Sequence, residues 1–317
     1  MKSKIGFIFP GQGSQYIGMG KDFYEQFSLA KTVFAKADEL LGRPFSQEIF
    51  SGSQEELTET KNSQIAIYVT SLAIYTVLRD LYPSLIPFAT AGLSLGEYSA
   101  LVAADKITFE EGLLLVSKRA FLMQEACKTS PGSMQVVLGM EEGAINEVFH
   151  SLNQKTLCIA NINCPGQIVI AGTKEELEIG SGALKQAGAK RILPLEVSGA
   201  FHSGLMQSAR EGLAPYLEKV TLKDSSISLF MNTPGAAVKD LVEIRSYLTR
   251  QVTEPVRWQK GIESMVASGV THFIEVGCGK TLQGMNKRIG LTIPTFSVEK
   301  VEDLEGLHRK EEFSDVF

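Results

Sequence analysis

The apolar positions along the chain come in short runs separated by glycine and proline turns. Lys4 to Phe9 is an apolar β run that enters the turn Pro10-Gly11-Gln12-Gly13-Ser14-Gln15. A mostly helical stretch follows from about Asp22 to Tyr82. Within it, Ile65 to Leu78 is the most apolar segment, interrupted by Thr70, Ser71 and Thr76, and reads as a buried helix. Phe88 to Leu93 is a second strand, and Leu95 to Ala103 has helical composition. Thr108 and Glu111 form a capping box that starts a helix running to about Cys127, and Pro131-Gly132 breaks it.

The texture then changes. Ser133 to Gly139 reads as a strand, Glu141 to Leu152 as a helix and Leu157 to Ile162 as a strand. A turn at Pro165-Gly166 leads to a strand from Gln167 to Gly172, a helix from Thr173 to Gly188 and a strand from Arg191 to Val197. This β-α-β-β-α-β order is the ferredoxin-like pattern. It predicts a small domain over residues 131–197, inserted in a larger α/β domain built from residues 1–130 and 198–317. The second part of the larger domain reads as a helix Ser203 to Lys219, a strand Ile227 to Met231, helices near Asp240 to Arg250 and Trp258 to Ser268, and a buried strand His272 to Val276. Gly277-Cys278-Gly279 opens a further helix, and the charge-rich tail past Glu299 is expected to be peripheral.

A length of 317 residues suits two domains. Hydrophobic content of 44% and charged content of 21% are those of a core-forming chain. No run reaches the ~18 apolar residues of a membrane span. A net charge of -5 argues against a nucleic-acid binder, which usually carries a basic face. Lys2 and Lys4 imitate a signal peptide, but the apolar run ends too soon. Cys127, Cys158, Cys164 and Cys278 show neither a C-x-x-C pair nor metal spacing, so no metal site is expected and a reducing cytoplasm is the expected setting.

Gly92-Leu93-Ser94-Leu95-Gly96 fits G-x-S-x-G. The pattern is common by itself, but here a strand leads in and a helix leads out, as a nucleophile elbow requires. The small residues let strand and helix approach, and the helix N-terminus offers free N–H groups to an oxyanion. The bland alternative is a glycine-rich turn with a surface serine. A serine nucleophile needs a base. Of four histidines, only His202 lies in a loop between a strand and a helix, in Val197-Ser198-Gly199-Ala200-Phe201-His202-Ser203. Its alternative is a helix-start histidine bonded to backbone. The Gly11-Gln12-Gly13 loop after the first strand either supplies a second oxyanion donor or merely turns the chain.

These segments together resemble a family. Phe9-Pro10-Gly11-Gln12-Gly13-Ser14-Gln15, the elbow with Glu97, Arg119, Asn161 to Gln167, Ala200-Phe201-His202-Ser203, and Gln251 with Pro255-Val256-Arg257-Trp258 occur in that order. The set is similar to the malonyl-CoA:acyl carrier protein transacylases of type II fatty acid synthesis, to about residue 300. The resemblance implies an α/β-hydrolase-like large domain with a parallel sheet and the ferredoxin-like insert. It also implies a ping-pong transfer of malonyl from malonyl-CoA to the phosphopantetheine thiol of acyl carrier protein, through a malonyl-serine. Carried over, Ser94 is the nucleophile, His202 the base, and the Gln251 carbonyl orients the histidine. The backbone N–H groups of Gln12 and Leu95 form the oxyanion hole. Arg119 grips the malonyl carboxylate, as a planar, permanently charged fork suits. Phe201 and Asn163 fall at substrate-binding positions. No metal or bound cofactor is implied, since coenzyme A arrives as the thioester substrate.

The chain departs from the family pattern at Leu93 (commonly His), Cys164 (commonly Ser) and Cys278 (commonly Pro). Gly277-Cys278-Gly279-Lys280-Thr281 imitates a phosphate loop, but Ile274 stands where the Walker pattern needs Gly. An acidic carrier meeting an acidic enzyme needs a local basic patch. Lys190-Arg191 and Lys287-Arg288 are the candidates, against the reading that they are ordinary solvated charges. Two other classes share features with this chain. A serine esterase or thioesterase would want an acid between Ser94 and His202 and an H-G-G-G-type loop; a non-catalytic binding module would never acquire an acyl group on Ser94.

Overall fold

The computed structural model describes residues 3–308, which form two sheets and the helices around them. The first strand, β1 (Ile5–Phe9), is buried at every position, as a parallel strand covered on both faces must be. Helices α1 (Lys21–Gln26), α2 (Ser28–Leu41), α3 (Phe45–Ser51), α4 (Gln54–Thr58) and α5 (Thr60–Leu81) follow. α5 is buried at every position from Asn62 to Ile74, which explains its apolar run and lack of a solvated stripe. β2 (Ala89–Gly92) pairs parallel with β1 and feeds α6 (Gly96–Ala103). α7 (Phe109–Thr129) starts from Thr108, whose hydroxyl accepts the Glu111 N–H at 3.2 Å while the Glu111 carboxylate accepts the Thr108 N–H at 2.9 Å.

The second sheet holds β3 (Ser133–Leu138), β4 (Cys158–Cys164), β5 (Gln167–Gly172) and β6 (Arg191–Pro194), with α8 (Glu142–Leu152) after β3 and α9 (Lys174–Gln186) after β5. All its pairings are antiparallel, in the order β4-β5-β3-β6. Alternation divides its side chains. Val137, Ile168 and Ile170 pack with Ile145 of α8 and Leu177 and Leu184 of α9. Met134, Val169 and Ala171 face the other way and join the main core.

The chain then makes a 3-10 turn (Gly204–Met206) and α10 (Gln207–Lys219), β7 (Ser228–Met231), β8 (Ala236–Val238), α11 (Leu241–Gln251), α12 (Trp258–Ala267), β9 (His272–Val276), α13 (Thr281–Ile289), β10 (Thr295–Val298) and α14 (Val301–His308). The first sheet runs β10-β9-β1-β2-β7-β8, parallel except for the β7–β8 edge pair. A backbone bridge ties β4 of the second sheet to the segment between α11 and α12: the Val256 N–H donates to Ala160 O at 2.9 Å, and the Ile162 N–H donates to Val256 O at 2.8 Å.

Three expectations need correction. The helix expected from Ser203 begins at Gln207, because the Ser203 hydroxyl accepts the Leu205 N–H and holds a 3-10 turn first. β6 stops at Pro194 rather than Val197. The segment past Glu299 is not simply peripheral: α14 buries Leu304 and Leu307 in the main core. The rest of that expected tail lies outside the described residues.

Candidate active site

β2 ends in Gly92, and the chain must reverse into α6 within three residues. Ser94 makes that turn with φ of 52°, in the left-handed region that a non-glycine residue enters only when its surroundings enforce it. The two flanking glycines are obligatory. A Cβ on Gly92 would lie 2.0 Å from the Gly96 carbonyl carbon, and one on Gly96 would lie 2.2 Å from Phe9 O. The strained turn is held by Asn232, just past the end of β7. Its Oδ1 accepts the Ser94 N–H at 2.7 Å and its Nδ2 donates to Gly92 O at 2.7 Å.

His202 also has a positive φ, 58°. Its Nε2 lies 2.8 Å from Ser94 Oγ, and its Nδ1 lies 2.7 Å from Gln251 O. A carbonyl only accepts, so Nδ1 carries the proton and Nε2 presents a lone pair to the serine. Burial, reinforced by the nearby positive charge of Arg119, pulls the His202 pKa down to about 4. The imidazole is therefore neutral at neutral pH and able to take the Ser94 proton as the oxygen attacks a carbonyl.

Arg119 comes from α7 and is only 1% exposed. Its Nη2 donates to Ser94 Oγ at 3.0 Å and to Gln251 Oε1 at 2.9 Å, and its Nη1 donates to Gln64 Oε1 at 2.5 Å. Burial lowers the Arg119 pKa, and the Glu97 charge opposes that shift. Glu97, in the first turn of α6, is fully buried; burial pushes its pKa up to about 8 against two N–H donors and the Arg119 charge.

Ser94, His202 and Arg119 open on a cavity of about 230 Å³. Gln12, Leu95, Phe201 and Asn163 line it, and Gln251 lies buried behind His202 and Arg119. The backbone N–H groups of Gln12 and Leu95 donate to no protein acceptor among the described residues. Both remain available to an oxyanion at the wall beside Ser94. Met134 and Val169 of the second sheet close the opposite side. The basic pairs are exposed and outside the lining. Lys287 and Arg288 lie on α13, whose Thr281, Leu282 and Met285 do line the cavity, and Arg288 reaches Cys164. Lys190 and Arg191 begin the segment whose later residues, Leu195 and Val197, line it.

Sequence reading gave no role to Asn232, Gln64 or Glu97. Two carried a usable signal: Glu97 stands in the elbow segment that bears the resemblance, and Asn232 follows a parallel strand at its C-terminal end, where α/β sites form. Among the described residues no three His, Cys, Asp or Glu side chains gather as a metal site would, and no helix is long and apolar enough to cross a membrane.

The acyl transferase domain model matches residues 6–298. The chain belongs to the acyl transferase family, among the malonyl CoA-acyl carrier protein transacylases. It is 43% identical over 305 residues to the malonyl CoA-acyl carrier protein transacylase of Bacillus subtilis, covering 96% of each chain. An acyl carrier protein S-malonyltransferase from Vibrio cholerae superposes with a TM-score of 0.92 at 40% identity, over 96% of this chain and all of that one. A malonyl-transacylase in complex with its type II PKS acyl-carrier protein superposes with a TM-score of 0.91 at 37% identity, over 96% and 98%. In this acyl transferase the cavity lies where the loops after β1 and β2 meet residues of β3, β4 and β5.

Proposed function

We propose that this chain moves malonyl groups from malonyl-CoA to the phosphopantetheine thiol of acyl carrier protein, with Ser94 as the nucleophile, supplying fatty acid synthesis. The observation that carries the reading is the set Ser94 Oγ–His202 Nε2 at 2.8 Å, His202 Nδ1–Gln251 O at 2.7 Å, and the buried Arg119 fork beside the same hydroxyl. Ser94 Oγ attacks the thioester carbon while His202 Nε2 takes its proton. The oxyanion accepts hydrogen bonds from the Gln12 and Leu95 N–H groups. The C–S bond breaks, and His202 returns the proton to the coenzyme A sulfur. The malonyl ester remains on Ser94 with its free carboxylate on Arg119. The carrier thiol then gives its proton to His202 and attacks the ester carbon; the bond to Ser94 Oγ breaks, and His202 returns the proton to that oxygen. Only protein groups and the thioester take part, so we assign no metal and no resident cofactor.

The fold reading follows the same division. Residues 1–130 and 198–317 make an α/β-hydrolase-like catalytic domain, and residues 131–197 a ferredoxin-like insert. The strand order β4-β5-β3-β6 with α8 and α9 on one face supports the insert, and the strand-turn-helix at Ser94 supports the catalytic domain. Phe201 and Asn163 shape the acyl pocket. Lys287-Arg288 and Lys190-Arg191 are assigned to carrier docking, supported by their exposure on segments whose other residues line the cavity. Four free thiols suit a reducing cytoplasm, where we place the enzyme.

The test is intact-mass measurement after mixing with malonyl-CoA. Wild type should gain one malonyl group and Ser94→Ala none. Arg119→Ala should lose about 100-fold or more in malonyl transfer and far less in acetyl transfer, from truncating a buried charged pair. A Ser94→Ala protein acylated elsewhere, or equal losses for both acyl groups, would refute the assignment.

A further inference from the structure

We propose that Glu97 is a positioning residue that acts through the side-chain amide of Gln251 to keep the Arg119 fork open and aimed at the acyl carboxylate. The inference rests on the malonyl-transfer reading and deepens it. Glu97 accepts the Asn232 backbone N–H on Oε1 at 2.6 Å and the Gln251 Nε2–H on Oε2 at 2.7 Å. The other Nε2 proton of Gln251 goes to Ser94 O at 2.8 Å, and Gln251 Oε1 accepts from Arg119 Nη2 at 2.9 Å. The amide therefore has one permissible orientation. Turned over, it would set Nε2 against a guanidinium donor and Oε1 against a carboxylate and a carbonyl. With both oxygens accepting N–H donors, Glu97 is what removes that second state.

The same arrangement leaves the guanidinium open. Arg119 is buried, and its side-chain hydrogen bonds go to the neutral oxygens of Gln64, Ser94 and Gln251. Among the described residues no carboxylate lies within ion-pair distance of it. A carboxylate in direct contact would occupy the fork and compete with the substrate acid. Glu97 sits one amide away, so the fork has no direct acidic partner and keeps donor capacity for a ligand.

Glu97→Gln keeps the shape but offers an acceptor at only one end, so either the Asn232 N–H or the Gln251 amide meets an NH2 group. Gln251→Met keeps the length and the backbone carbonyl that holds His202, and removes the relay. The experiment is rapid-quench acylation with malonyl-CoA and with acetyl-CoA, together with melting temperatures, for wild type, each variant and the double variant. The malonyl-over-acetyl preference should fall about tenfold or more in each single variant, as loss of a charge-assisted contact implies, with no further fall in the double variant. A role confined to stability would lower the melting temperature and slow both acyl groups equally. A preference within about twofold of wild type in either folded variant overturns the relay, and if Glu97→Gln does not fold, Gln251→Met decides alone. Absence of malonylation in wild type is a separate failure, of the reading beneath.

Discussion

Replacing Arg119 by alanine should raise the pH below which acylation of Ser94 fails. His202 must be neutral for Nε2 to take the serine proton, so activity falls as pH drops through the histidine pKa. That pKa is held at about 4, against 6.5 for an ordinary histidine. At 1.36 kcal/mol per pH unit, the environment disfavours the imidazolium by roughly 3 kcal/mol. Burial is the larger cause and the Arg119 charge the second. Deleting the guanidinium should therefore return less than half of the shift, about one pH unit, or ~1.4 kcal/mol. Water entering the vacated space would push the same way. The assay is rapid-quench acylation from pH 4 to 8, with acetyl-CoA for both proteins, because the variant binds malonyl poorly. The stability sign agrees: the unfolded chain takes up the His202 proton first, so this group costs stability progressively as pH falls from 6.5 to about 4. That window should narrow in the variant. A wild-type acid limb near 6.5, or an unchanged limb in Arg119→Ala, would refute the reasoning.

Exchanging Lys287 and Arg288 for glutamates should raise the KM for an acidic carrier protein about fivefold at low ionic strength and flatten its salt dependence, while malonylation by malonyl-CoA changes less. The same reversal at Lys190 and Arg191 should act in the same direction, and unchanged carrier kinetics in both would place docking elsewhere. Gly96→Ala forces a methyl group against Phe9 O, and should lower the melting temperature by about 5 °C or more; a calorimetric trace matching wild type would contradict the tight crossing of β1 and α6.

What could be read from the chain was local. The capping box at Thr108, the elbow between β2 and α6, and the β-α-β-β-α-β order each depend on a few neighbouring residues, and all appear in the structure. β8 and β10 were missed because edge strands of three and four residues carry too short an alternation to detect. α14 was misjudged because its charges dominate a segment in which only a few apolar side chains, Leu304 and Leu307 with Val301 beside them, meet the core. Within the site, Ser94 and His202 announced themselves by their loops. Arg119 did not: no local motif marks it, and only the family resemblance assigned it to the site. Its burial depends on Gln64 and Gln251, 55 and 132 residues away in the chain. Asn232 and Glu97 are likewise defined by partners that only folding brings together.

The backbone bridge at Val256 has a consequence for how such an enzyme could change its acyl range. Val256 uses both its N–H and its C=O to pair with the β4 edge of the small sheet, and the same short segment begins at Gln251, whose carbonyl holds His202. Spreading the two sheets to admit a bulkier acyl group would break two main-chain hydrogen bonds and drag on the peptide that sets the imidazole. Width and reactivity are mechanically joined, so enlarging the cleft by hinge motion would sacrifice the base. Diversification of the substrate is thereby channelled into the side chains that line the cavity, such as Met123, Met134, Val169 and Phe201, which can be exchanged without disturbing the frame.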